Sequence, residues 1–92
     1  MISIITAIYN QLDMNKLFWE YLKKYTDNPF ELIIIDNHSN DGSREFFQSL
    51  GENVTVIANQ ENYSYPHCQN QGIAVAKYNV FAFLNNDLLV SP

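Results

Sequence analysis

Three polar clusters interrupt the apolar runs of this chain, and each carries residue types suited to holding a ligand. They are Tyr9-Asn10, the segment Asp36-Asn37-His38-Ser39-Asn40-Asp41-Gly42, and Asn85-Asn86-Asp87. A tyrosine offers a flat apolar face, and a carboxylate accepts hydrogen bonds or takes a hard cation. Plainer readings stand beside these: Asp36 and Asp87 also suit turns and helix caps, and Tyr9 suits half-buried packing. His67-Cys68 has the composition of a metal pair, but two adjacent residues without further spaced ligands read as ordinary helix residues. Gly42, Gly51 and Gly72 are the only glycines, so the chain has neither a Walker-type loop nor a GxGxxG fingerprint. Without such a cradle, a bound diphosphate needs another source of positive charge. A divalent cation on Asp87, magnesium or manganese, would supply it.

Alternating strands and helices must position these clusters. Ile2 to Thr6 is a β-branched apolar run and reads as a strand. Met14, Leu17, Phe18, Tyr21, Leu22 and Tyr25 then recur at the helical period, with Asp13 as the expected N-cap and Pro29 as the stop. Leu32 to Ile35 is apolar on both faces, the pattern of a buried parallel strand. A short helix follows, with Phe46, Phe47 and Leu50 inward, ended by Gly51. Val54 to Ala58 reads as a strand nearer the sheet edge. His67 to Lys77 reads as a third helix that packs through Ile73, Ala74 and Ala76, and Val80 to Leu84 as a second fully apolar strand. The order β-α-β-α-β-α-β predicts an α/β fold with a parallel sheet and right-handed crossovers. In such a sheet ligands bind beyond the carboxyl ends of the strands, where strand order reverses. Spatial order 3-2-1-4 would bring all three polar clusters to one crevice.

Composition narrows the partners. In 92 residues, 47% hydrophobic, there is enough apolar material for one small core. Ten acidic residues against five basic ones, with no basic cluster, disfavour nucleic acid as a partner. The single cysteine, Cys68, permits no intrachain disulfide and fits a reducing compartment. No apolar run is long enough to span a bilayer, and the first residues lack the basic start of a signal peptide. The expectation is a cytoplasmic protein, working at the inner membrane face if its acceptor is lipid-linked.

The motifs together resemble family 2 glycosyltransferases. Ser3-Ile4-Ile5-Thr6-Ala7-Ile8-Tyr9-Asn10 is similar to the opening strand and loop of that family. Ile34-Ile35-Asp36-Asn37-His38-Ser39-Asn40-Asp41-Gly42-Ser43 resembles its strand followed by Asp-Asp-Gly-Ser-x-Asp-Gly-Thr. Asn62 to Ala76, with Asn70 and Gly72, resembles its Asn-x-Gly loop and helix. Phe83-Leu84-Asn85-Asn86-Asp87 stands where the family has its DxD motif, and Pro92 follows at the usual distance. The resemblance covers the whole chain and implies a Rossmann-like GT-A half with three helices flanking the sheet.

It also implies roles. Ala7 and Tyr9 would hold the base, Asp36 would accept from the ring N–H of uracil or thymine, and Asn85 would face the ribose or the cation's water shell. Asp87 would bind the magnesium or manganese ion that bridges the phosphates of a UDP- or dTDP-type sugar donor. Departures from the pattern are Ala7 for a proline or hydroxyl residue, Asn37 and His38 for aspartate and glycine, and Asn85 for the first DxD aspartate. The base that activates the acceptor hydroxyl is expected beyond Pro92. Residues 1–92 therefore read as a truncated N-terminal nucleotide-binding part, inactive in transfer alone, of an enzyme whose acceptor the sequence does not identify. Such a part would leave Val80 to Leu84 as an open edge on which a homodimer could form. Two other readings remain: a non-catalytic α/β nucleotide-binding module, and a receiver-like domain. The latter would need an acidic pair after the first strand and a lysine after a late strand.

Overall fold

The structure is a computed structural model that describes residues 2–25, 29–51, 53–78 and 80–83. In chain order its elements are β1 (Ile2–Ile8), α1 (Leu12–Tyr25), β2 (Phe30–Asp36), α2 (Ser43–Gln48), β3 (Val54–Ala58), α3 (Tyr65–Val75) and β4 (Phe81–Phe83). The strands form one parallel sheet in the order β3-β2-β1-β4, the expected 3-2-1-4 arrangement flanked by three helices.

Residue pattern explains the centre of the sheet. Leu32, Ile33, Ile34 and Ile35 are all fully buried, because β2 lies between two strands and both its faces are covered. Ile4, Ile8, Leu32 and Ile34 pack on Phe18, Trp19 and Leu22 of α1 and on Phe47 of α2. On the opposite face Ile5, Ile33 and Ile35 pack on Cys68 of α3, with Ala7, Ile57, Tyr63 and Ala76 around them. The molecule is thus a helix–sheet–helix sandwich with its core split between the two faces.

Several local expectations shift. In α1 the buried side is Asn15, Phe18, Trp19 and Leu22, at helical spacing, whereas Leu17 and Tyr21 are exposed. Asp13 lies inside the first turn rather than at the cap. The Leu12 amide is met from another loop, by Asp41 Oδ2 at 3.0 Å. Helix α3 starts at Tyr65, with Ser64 as N-cap accepting from the His67 amide. It does not pack through Ile73 and Ala74, which are exposed. Its inner side is Cys68, Gly72 and then Ala76, four residues apart. Gly72 is the reason: a Cβ there would overlap Ile5 Cγ2, so glycine lets α3 lie directly on β1.

β4 is three residues long at the sheet edge, and Phe81 and Phe83 remain 41% and 39% exposed. It is apolar as expected, but only one of its two faces is covered. Glu31, buried in β2, ties the approach to this strand: its Oε2 accepts from the Ser3 hydroxyl and the Lys77 amide, both at 2.7 Å.

Candidate functional site

Sheet register sets the frame of the site. Ile8 is level with Asp36, and Asp36 with Ala58, so three strands end on one line. The ladder runs one step further, with the Asn37 amide donating to the Ile8 carbonyl and the Asn59 amide to the Asp36 carbonyl, each at 2.8 Å. Tyr9, Asn37 and Asn59 therefore leave the sheet side by side. β4 is parallel to β1, with Phe83 level with Ile5, and so points toward the same edge.

The loops after β1 and β2 are tied together. The Asn10 amide donates to Ser39 Oγ at 2.7 Å, and Asn10 Oδ1 accepts from the Asn40 amide at 2.8 Å. Asn15, buried in α1, donates to the Asn10 carbonyl and to Ser43 Oγ. Asn10, Gln11 and His38 hold left-handed backbone with φ of 56°, 69° and 77°, a conformation that costs most side chains about 1–2 kcal/mol. Asp41 receives the Ser43 amide and hydroxyl as well as the Leu12 amide. Burial alone would raise its pKa, but these hydrogen bonds outweigh burial and hold the carboxyl below its ordinary value.

Asp36 is wholly buried. Its Oδ1 accepts from the Ser39 amide at 3.2 Å and its Oδ2 from Arg44 Nε at 2.7 Å. The hydrogen bond to Asp36 raises the pKa of the Arg44 guanidinium above its ordinary value. Arg44, in α2, was not among the residues singled out from the sequence. The hint was available, since it is the chain's one arginine and stands eight residues after Asp36.

A second set of contacts binds the loop after β3 to the end of β2. Asn37 Nδ2 donates to Asn62 Oδ1 and to the Tyr63 carbonyl, while Asn37 Oδ1 accepts from the Tyr63 amide at 2.7 Å. Asn59 and Gln71 exchange hydrogen bonds of 3.0 and 2.8 Å between their side-chain amides. Tyr63, placed by Asn37, lies against the His67 ring with centroids 4.4 Å apart. His67 is thus a ring partner of Tyr63, and Cys68 is buried in the core, where burial pushes its thiol pKa up.

Of the residues expected at the site, Ala7, Tyr9 and Asp36 stand together at the carboxyl edge, with Tyr9 half exposed. Asn85 and Asp87 lie outside the described residues. Among the described residues no group of three or more His, Cys, Asp or Glu side chains is placed to hold a metal ion. No helix among them is long and apolar enough to cross a membrane.

Comparison with known proteins fits this architecture. The chain is 34% identical over 95 residues to an uncharacterized glycosyltransferase of Haemophilus influenzae, a match covering 100% of this chain and 31% of that protein. It is 24% identical over 91 residues to the glycosyltransferase AglE of Haloferax volcanii, covering 94% of this chain and 30% of that protein. The chain spans 27–36% of the length of the curated relatives it matches. Among solved structures it superposes on the mannosyltransferase PcManGT from Pyrobaculum calidifontis, determined with GDP-Man and Mn2+. The TM-score is 0.77 at 19% identity, over 94% of this chain and 27% of that one. The fold is thus the GT-A type. The model of glycosyl transferase family 2 matches residues 3–92, and the chain belongs to that family.

Proposed function

We propose that residues 1–92 form the donor-nucleotide half of a glycosyltransferase, and that glycosyl transfer to an acceptor belongs to a polypeptide of the relatives' full length. The observation that carries this reading is the shared carboxyl edge, where Asp36 ends β2 level with Ile8 and Tyr9 follows β1 at the next step. That is where an open parallel sheet takes its ligand. Tyr9 offers its exposed ring to a base, with the backbone at Ala7 beside it. Asp36 and its guanidinium partner mark the end at which the base is read. Asn85 faces the ribose or the cation's water shell. Asp87 is the carboxylate for a divalent cation, Mg2+ or Mn2+, which when bound supplies positive charge to the donor's diphosphate. The chain's net charge of −5 favours such a cation, and Mn2+ with a nucleotide sugar in the structural neighbour supports it.

A carboxylate–guanidinium pair suits a ring N–H beside a carbonyl, which uracil, thymine and guanine all present. The resemblance to family 2 glycosyltransferases supports a donor of the UDP or dTDP type, and GDP is the control. Calorimetric titration of the protein with UDP, dTDP and GDP, with and without Mn2+, tests the reading. Asp87→Ala should abolish the Mn2+ dependence. Asp36→Ala should weaken binding with and without Mn2+, since a hydrogen bond to a charged group contributes roughly 1.5–3 kcal/mol. Absence of nucleotide binding by the unsubstituted protein would overturn the assignment of this edge. Binding without sugar transfer by the full-length protein would favour a non-catalytic module.

A further inference from the structure

The ion pair at the end of β2 is asymmetric. Asp36 is completely buried, and both of its oxygens already accept from protein donors, the Ser39 amide and Arg44 Nε. The Arg44 side chain, by contrast, is 32% exposed. A guanidinium carries five N–H donors in a rigid planar fork. The Nε–H is spent on Asp36, and the N–H groups on the two terminal nitrogens have no partner among the described residues. The exposed member of the pair is therefore the donor, held in place by a buried acceptor.

Charge points the same way. The other four cationic side chains are lysines, at 16, 23 and 24 in α1 and at 77 after α3. Arg44 is anchored within 2.7 Å of the carboxylate that ends β2, beside the loops carrying Tyr9 and Ser39. A guanidinium fixed on one edge by a carboxylate has its remaining donors pre-organised, so little rotamer freedom is left to lose on binding.

We propose that Arg44 is a binding residue for the base of the donor nucleotide, giving its terminal N–H groups to a ring carbonyl, with Asp36 as the positioning residue that aims the fork. This rests on the nucleotide reading above and changes which side chain makes the contact. A side chain that merely covered Asp36 would have the opposite effect, since its removal would open the carboxylate to the base.

NMR titration of the protein with uridine and with UDP, before and after substitution, separates these cases. Arg44→Gln should weaken uridine and UDP by the same factor, about ten- to a hundredfold. Arg44→Lys, which keeps a cation on Asp36 but loses the fork, should retain part of the affinity for both. Melting curves of each variant accompany the titrations, and Arg44→Lys carries the comparison if Arg44→Gln does not fold. Unchanged or tighter uridine binding by either folded variant would overturn the proposal while leaving the nucleotide reading intact. A loss confined to UDP would also overturn it, by moving the contact to the phosphates. If the unsubstituted protein binds neither ligand, the nucleotide reading falls and this inference falls with it.

Discussion

At the scale of single residues, the loop after β2 spends conformational energy at His38. Its φ of 77° lies where glycine sits without penalty, and family 2 sequences resemble this segment with a glycine at that position. His38→Gly should therefore raise stability, by up to about 1 kcal/mol once the greater entropy of glycine in the unfolded chain is set against the relieved strain. Denaturant titration of the two proteins measures it. Asp41 gives a pH prediction of definite sign. Its folded pKa is depressed, so its contribution is present above the unfolded carboxylate value and is lost as pH falls through the folded one. Asp41→Asn should flatten that part of the acid limb of stability, by a small amount because the group is exposed and screened. Asp36 as the end of a buried strand was legible from four apolar residues running into one acid. Arg44 was not, because nothing in a six-residue helix states which strand end its first turn will face.

Elements were the most legible scale, and their faces the least. The four apolar runs and the turn-rich clusters between them determine a parallel sheet, and the doubly apolar β2 had to be internal. The faces of α1 and α3 went differently because small and polar residues took inner positions. Asn15 is buried since its side chain bonds Asn10 and Ser43 across the loops. Gly72 is buried since α3 lies on Ile5 with no room for a Cβ. Hydrophobic periodicity registers neither. Gly72→Ala should displace α3 from β1 and cost about 1–3 kcal/mol, the usual range for overpacking. A melting temperature equal to that of the unsubstituted protein would show that Ile5 can move aside freely.

For the molecule as a whole, the largest unresolved balance lies on the β4 side. Val80, Phe81 and Phe83 are exposed together with Ile73 and Val75 of α3, and among the described residues β4 is the last strand on its side of the sheet. A strand edge flanked by aromatic side chains favours pairing with another chain. A preparation of residues 1–92 should self-associate with rising concentration, and Phe81→Ser together with Phe83→Ser should shift it toward monomer. Light scattering over a concentration series reads both. A monomer at every concentration would show that this surface is covered within the chain.

The cross-links between the β2 end, the β3 loop and α3 run through Asn37, Asn59, Asn62 and Gln71. All four side chains are carboxamides and carry no net charge, so added electrolyte has little to screen and moderate acid or alkali has nothing to titrate. A frame built this way holds its shape while counter-ions gather and disperse beside it. Its dimensions should be the same in dilute buffer and in concentrated salt, even where the strength of an anionic guest is not.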